Sequence, residues 1–233
     1  MMKLSIIIVS WNVRDDLAGC LNSIKEHPPR EDFEIIVVDN ASTDGSAELI
    51  QKEFPEVKAI VNKTNRGFSA ANNQGITAAS GQYLFLLNPD TIVHPYAMDN
   101  LVKLLDKNPK AAMCGPKLTD ENGQIWPSAG YFPTFRSLLY KKTFIHHLGI
   151  FRRHYKKLTT DNFDYDKQSQ VQLLSGAALM IRKSVMEQIN GMDESFFLYC
   201  EDKDLCLRIK KTGQEIIYVP DAVVTHIQGK SSG

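Results

Sequence analysis

Four segments hold the side chains that could do chemistry. In VVDNASTDGS, residues 37–46, Asp39 ends an apolar β-branched run, so its carboxylate projects where a strand stops. An acceptor-only carboxylate there can take hydrogen bonds from a uracil or thymine imide N–H or from ribose hydroxyls. The alternative is an Asx-turn joining strand to helix, with Asp44 or Ser42 as the cap. In LLNPDT, residues 86–91, an apolar run stops, Pro89 stiffens the exit and Asp90 is left where the chain turns. One carboxylate beside Asn88 suits a hard divalent cation that keeps water ligands and completes its shell with substrate phosphates. The alternative is a plain Asn-Pro-Asp turn. In GMDESFFLYCEDKDLCLR, residues 191–208, acids alternate with Phe196, Phe197 and Tyr199. Asp202 precedes Cys206 by four and Ile209 by seven, near the inward face of a helix. The first turn of a helix favours an anionic side chain, which suits a base that must accept a proton; simple capping is the alternative. His226, in VVTHIQG, is a lone His that joins a site only if it reaches Asp90.

Local pattern supplies the elements that position these groups. Lys3 to Val9, Phe33 to Val38, Val57 to Val61, Tyr83 to Leu87 and Ala111 to Cys114 are apolar runs of strand length. Between them lie helical patterns: Leu17, Cys20, Leu21 and Ile24; Leu49, Ile50 and Phe54; a small-residue stretch from Phe68 to Ala79; and Pro95 to Asp106. Strand alternating with helix implies a mostly parallel, doubly wound sheet, in which ligands sit at the carboxyl ends of strands. The clusters Ser10-Trp11-Asn12, Asp39-Asn40-Ala41-Ser42 and Asn88-Pro89-Asp90 each follow a strand and are expected to converge on one rim. Further on, strands are expected at Ala177 to Ile181 and Glu215 to Val219, with helices from Arg182 and from Glu201.

Composition bounds the answer. The chain has 233 residues, 43% of them apolar and 23% charged, enough for one sizeable core and incompatible with wholesale disorder. Lys plus Arg and Asp plus Glu number 27 each, so no basic excess points to nucleic acid. Cys20, Cys114, Cys200 and Cys206 form no C-x-x-C pair and no disulfide framework; reduced thiols in a cytoplasmic compartment are expected. No apolar run approaches the roughly 18 residues of a membrane-spanning helix, and no cleavable signal is apparent. Between Glu121 and Asp161 acids are absent. There Arg136, Lys141, Arg152 and Lys156 are interleaved with Phe135, Tyr140, Phe144 and Phe151.

Taken in order, SIIIVSWN, VVDNASTDGS, NRGFSAANNQGI, LLNPDT, SGAALMIR and GMDESFFLYCEDKDLCLR resemble the family 2 glycosyltransferases of the GT-A fold, over roughly residues 3–228. The resemblance implies an α/β chain, GT-A type, with a Rossmann-like mixed central sheet flanked by helices. It implies a single domain over residues 1–233, with a nucleotide-binding half over about 1–115 and an acceptor and catalytic half over about 116–233. The implied reaction moves a sugar from a nucleoside-diphosphate sugar, a UDP- or dTDP-sugar, to a saccharide or lipid-linked acceptor hydroxyl, with inversion at the anomeric carbon. Ser10, Asn12, Asp39 and Ser42 would line the nucleotide, and Asn65, Arg66 and Gly67 would lie near it. Asn72 would lie near the donor, with Asn88 on the same side. Asp90 and His226 would sit at a divalent metal, Mn or Mg, that bridges the diphosphate, and Asp202 would be the base.

The chain departs from the family where Asn88 stands in place of a first metal-motif acid, which leaves Asp90 alone there. The Asn-Pro-Asp version resembles transferases of rhamnose and other cell-surface polysaccharide sugars. No Q-x-x-R-W sequence accompanies it, which argues against a processive, membrane-embedded synthase. The basic aromatic stretch from Phe135 to Leu158 falls where the family places acceptor-side insertions; it is expected either to dock on an anionic cytoplasmic leaflet or to be a solvated helical hairpin. The chain runs only seven residues past His226, where such enzymes commonly continue, so a tail with acceptor or membrane elements stays open. Two rivals remain. A nicotinamide oxidoreductase needs G-x-G-x-x-G after the first strand, where this chain has SWNVRDDLAG. A non-catalytic nucleotide-sugar binding module fits the single acid at Asp90 but not the presence of Asp202.

Overall fold

The computed structural model describes residues 2–132 and 163–227; the basic aromatic stretch 135–158 lies outside them. The first half alternates as its pattern dictates: β1 (Leu4–Ser10), α1 (Arg14–Glu26), β2 (Phe33–Asp39), α2 (Ser46–Glu53), β3 (Lys58–Val61), α3 (Phe68–Ala78) and β4 (Tyr83–Leu87). Then come β5 (Thr91–Val93), α4 (Ala97–Lys107), β6 (Ala111–Thr119), β7 (Ile125–Trp126) and β8 (Ala129–Gly130). After the undescribed stretch follow β9 (Ser169–Val171), β10 (Leu173–Leu174), β11 (Ala178–Arg182), α5 (Lys183–Gln188), α6 (Glu201–Lys211) and β12 (Glu215–His226).

The main sheet has the order β3-β2-β1-β4-β11-β6-β12-β5, with β7 on β6 and β9 on β12. It is mixed. Strands β2, β1 and β4 run parallel, β11 enters antiparallel between β4 and β6, and β12 lies parallel to β6 but antiparallel to β5. Alternation of strand and helix therefore foretold the parallel first half correctly and did not foretell the antiparallel insertion of β11.

Both faces of the sheet are covered, which is why its central strands are buried, and mostly apolar, on successive residues rather than on every second one. In β1, Ile6 and Ile8 join α1 residues Leu17, Cys20, Leu21 and Ile24 and α4 residues Leu101 and Leu105 in one buried cluster. Ile7, on the opposite face, joins Ile76 of α3, Met186 of α5 and Leu205, Cys206 and Ile209 of α6 in a second. Each such aliphatic side chain removed from water contributes about 1.5–3 kcal/mol. The stretch rich in alanine, α3, lies close on β1 because Gly75 leaves room for the Ile7 side chain.

Arg182 ties the antiparallel insertion to the rest. Its Nε donates to Ala111 O at 2.7 Å, and its Nη2 donates to Leu105 O and, at 3.1 Å, to Asn108 O at the end of α4. A cation there adds charge-assisted bonds at the C-terminal end of α4, where Leu105 O and Asn108 O also accept from Asn108 N–H and Ala111 N–H at 3.3 and 2.9 Å.

Candidate active site

Adjacent parallel strands expose their carboxyl ends on one rim, and the loops after β1, β2 and β4 meet there. Register sets Ser10 beside Asp39, and Asn40 N–H donates to Ser10 O at 2.8 Å. The β1 and β2 loops are laced together. Asn12 N–H donates to Ser42 Oγ at 2.9 Å, Thr43 N–H to Asn12 Oδ1 at 2.8 Å, and Ser42 N–H to Asp39 Oδ2 at 3.2 Å. The last of these is the Asx-turn alternative for Asp39, and it engages only one oxygen. Asp39 Oδ1 and Ser10 Oγ are buried with no hydrogen-bond partner, so both readings of Asp39 are compatible with its geometry.

Asn40, 2% exposed, organises the next loop. Its Oδ1 accepts from Arg66 N–H at 3.0 Å and from Asn62 Nδ2 at 3.0 Å, while its Nδ2 donates to Asn65 Oδ1 at 2.7 Å. Gly67 has φ +82°, and a Cβ there would stand 2.7 Å from Phe197 Cδ2, so the loop needs glycine both for its backbone and for its neighbour.

Asn88, Pro89 and Asp90 follow β4. Thr91 Oγ1 donates to Asn88 O at 2.7 Å and closes the turn. Cys20 packs against it; burial pushes this thiol up to about 12, so it stays a neutral S–H against Asn88 O. Pairing of β12 with β5 sets His226 opposite Thr91, and His226 Nε2 lies 3.3 Å from Asp90 Oδ1. The condition placed on His226 by its sequence context is thereby met.

Asp202 stands in the first turn of α6. Gly176 N–H donates to its Oδ2 at 3.3 Å and Lys203 N–H to its Oδ1 at 2.7 Å, so both oxygens are oriented by backbone. Leu205, Cys206 and Ile209 are buried as their spacing requires. Beside Asp202, burial raises the Glu201 carboxyl above its usual range, and the neighbouring Asp202 charge adds to the effect; Glu201 Oε2 is buried without a partner.

One cavity of about 460 Å³ collects six of the predicted residues: Asn65, Gly67, Asn88, Asp90, Asp202 and His226. Ser10, Asn12, Asp39, Ser42 and Arg66 do not line it; they form or adjoin the ledge that Trp11 and Asn40 connect to it. Asn72, expected near the donor, does not line the cavity either. It is 1% exposed and donates to Phe68 O inside its own helix at 3.0 Å. Lining residues that sequence reasoning did not select include Trp11, Asn40, Ser175, Phe197, Tyr199 and Glu201. Trp11, Phe197 and Tyr199 are 42%, 58% and 61% exposed, unusual for large apolar side chains. Their placement beside the motifs was the available signal.

Among the described residues no group of three or more His, Cys, Asp or Glu forms a metal cage. Asp90 and His226 supply one carboxylate and one imidazole, and the buried Asn88 Oδ1, without a hydrogen-bond partner, adds a neutral oxygen in the same cavity. A hard cation that keeps waters and takes substrate phosphates needs few protein ligands, and this set fits one.

Comparison with known proteins agrees with this architecture. The glycosyl transferase family 2 profile matches residues 5–189, and that of a family described as the N-terminal domain of galactosyltransferase matches residues 151–229. An N-acetylglucosaminyl-diphospho-decaprenol L-rhamnosyltransferase of Mycobacterium tuberculosis is 28% identical over 99% of this chain and 78% of its own length. Rhamnosyltransferase WbbL of Escherichia coli is 27% identical over 92% of this chain and 80% of its own. Among solved structures, GalNAc-T7 with UDP, GalNAc and Mn2+ superposes with a TM-score of 0.73 at 19% identity, over 99% of this chain and 44% of that one. Mannosyltransferase PcManGT of Pyrobaculum calidifontis, with GDP-Man and Mn2+, gives 0.69 at 18% identity, over 99% of this chain and 58% of that one. The chain thus spans less than two thirds of either solved neighbour, and these two likenesses speak for the fold alone. With its mixed sheet, its rim of loops after parallel strands and a family match over residues 5–189, the chain belongs to glycosyl transferase family 2 and has the GT-A fold.

Proposed function

We propose that this chain transfers a sugar from a UDP- or dTDP-sugar to an acceptor hydroxyl with inversion at the anomeric carbon. The observation that carries this reading is that Asp90 and Asp202, from distant parts of the chain, line one cavity. Asp202 takes the proton from the acceptor hydroxyl as the new C–O bond forms and the bond to the diphosphate oxygen breaks. The backbone N–H groups of Gly176 and Lys203 hold its carboxylate in one orientation, which keeps a lone pair free for the incoming proton. Asp39, Ser10, Asn12 and Ser42 bind the nucleoside, and Asn65, Arg66 and Gly67 hold the adjacent part of the nucleotide. Asn72, tied to Phe68, is left out of the assignment. Asp90 and His226, with Asn88, hold a divalent cation, Mn2+ or Mg2+. When bound there, it supplies positive charge against the departing diphosphate.

The names of the relatives support a rhamnosyl-type donor and an acceptor linked through diphosphate to a polyprenyl lipid. The setting would be cell-surface polysaccharide or glycolipid synthesis at the cytoplasmic face of a membrane. Among the described residues no helix is long and apolar enough to cross a membrane; the acid-free basic stretch 135–158 supports peripheral contact with anionic lipid. Release of nucleoside diphosphate, measured across UDP- and dTDP-sugars with Mn2+ and a saccharide acceptor, tests the reading. Acceptor-dependent release with inversion at the product anomeric carbon is expected. Donor binding without release from any sugar would favour a non-catalytic module instead.

A further inference from the structure

The segment between α5 and α6 leads directly to Asp202, and one side chain of α3 grips its start. Asn190 and Gly191 lie in the left-handed region, at φ 58° and 72°, and reverse the chain at the end of α5. Asn73 then meets the Met192 backbone as a neighbouring strand would. Met192 N–H donates to Asn73 Oδ1 at 2.8 Å, and Asn73 Nδ2 donates to Met192 O at 2.9 Å and to Glu194 Oε1 at 2.9 Å. A Cβ at Gly191 would come within 2.6 Å of Asn73 Oδ1, so this approach depends on glycine.

Two further ties complete the clamp. Phe68 N–H donates to Phe197 O at 2.7 Å, again from α3. From α6, Arg208 Nη1 donates to Ile189 O at 3.0 Å and Gly191 O at 2.6 Å, while its Nε donates to Asp204 at 2.6 Å. The segment then passes through left-handed Tyr199 and Cys200, at φ 69° and 71°, into the turn that carries Asp202. Gly67 and Phe68 at the start of α3 line the same cavity as Phe197, Tyr199 and Asp202. One helix therefore touches the donor side of the cavity and anchors the segment that delivers the carboxylate.

We infer that Asn73 is a positioning residue for transfer: by gripping Met192 and Glu194 it fixes Asp202 relative to the cavity wall built by α3. The inference rests on the assignment of Asp202 as base. An Asn side chain offers a donor and an acceptor at once; Asp lacks the donor and Leu lacks both. With Asn73 replaced, the ties from Phe68 and Arg208 still hold the segment, so the chain folds, but the carboxylate loses one of its fixed supports. A displacement of roughly 1 Å at a reacting group can cost about 100-fold in rate.

The test compares Asn73→Leu and Asn73→Asp with the unaltered chain in donor affinity, thermal midpoint and acceptor-dependent turnover. For Asn73→Leu, kcat falls about 10- to 100-fold while donor Kd stays within about twofold. For Asn73→Asp, kcat is similarly low near pH 8 and recovers relative to the unaltered chain toward pH 5, because the new carboxyl, facing the Glu194 carboxylate at hydrogen-bond distance, is pushed above the usual aspartate range and regains a donor on protonation. An unchanged kcat in Asn73→Leu, or loss of donor affinity in step with kcat, overturns the inference. Should Asn73→Leu fail to fold, the Asp variant decides: a ratio to the unaltered chain that does not move with pH rejects the role. Absence of turnover in the unaltered chain sinks the assignment of Asp202 itself; turnover there with indifferent variants sinks the role of Asn73 alone.

Discussion

Nε2 of His226 stands 3.3 Å from Oδ1 of Asp90, and the antiparallel register of β12 on β5 brings it there by setting His226 opposite Thr91. Ile227 N–H, donating to Asp90 O at 2.8 Å, continues the same pairing one residue further. A side chain from the last strand thereby completes a motif that begins where β4 ends.

If these two residues hold the cation, Asp90→Ala removes the metal's contribution to donor binding. Calorimetry with and without Mn2+ is expected to show donor affinity reduced at least about tenfold and no longer sensitive to the ion. His226→Ala is expected to do the same to a smaller degree. Identical isotherms for Asp90→Ala and the unaltered chain would remove Asp90 from the metal site.

Asp202→Asn preserves shape and removes the proton acceptor. The expected outcome is a fall in kcat of about 10²- to 10⁴-fold with donor Kd nearly unchanged. The backbone N–H groups of Gly176 and Lys203 can still be accepted by only one Asn oxygen, so a small additional loss of order in the first turn of α6 accompanies it. Turnover retained in the variant would exclude Asp202 as base.

Glu201 makes stability depend on pH in a definite direction. Burial, reinforced by the Asp202 charge, raises its carboxyl above the usual glutamate range in the folded state. Between the unfolded and folded values the native chain therefore binds more protons than the unfolded one, and stability falls as pH rises through that window. Glu201→Gln is expected to raise the thermal midpoint at pH 7, with the difference vanishing as pH drops below the usual glutamate range. A midpoint difference of the opposite sign at pH 7 would show that Glu201 is stabilised as an anion.

Arg182→Ala tests the anchoring of β11. It removes charge-assisted hydrogen bonds to Ala111 O, Leu105 O and Asn108 O. A cost of about 2 kcal/mol follows, which lowers the thermal midpoint by roughly 5 °C in a chain of this size. Because Ser175 and Gly176 precede β11 and line the cavity, donor-dependent thermal shift is expected to shrink as well. A midpoint within 1 °C of the unaltered chain would show that those carbonyls are satisfied without the guanidinium.

Local pattern was sufficient for β1 to β4, for α1 to α4 and for the three loops on one rim, because strand and helix periods are written within a few residues and adjacent parallel strands must share a carboxyl edge. Of the six cavity residues, Asn88, Asp90 and Asp202 stood out by type and position in the sequence, His226 only on the condition that it reach Asp90, and Asn65 and Gly67 only through the resemblance to family 2 glycosyltransferases. Strand extent was not legible. The fifth and last strands were expected to stop at Cys114 and Val219, yet β6 runs through Pro116 to Thr119, and β12 runs past Pro220, across a register shift between Val219 and Val223, to His226. Proline ordinarily ends a strand; here a bulge and pairing across the sheet absorb it. Nor could spacing choose between Asn72 and Asn73: the helix turns about 100° between neighbours, so one amide faces Phe68 within α3 and the other reaches Met192. Residue types and motifs determined which groups could act. Sheet order and long-range register decided which of them share a cavity, because contacts between distant segments depend on how the whole chain is wound and not on any window of it.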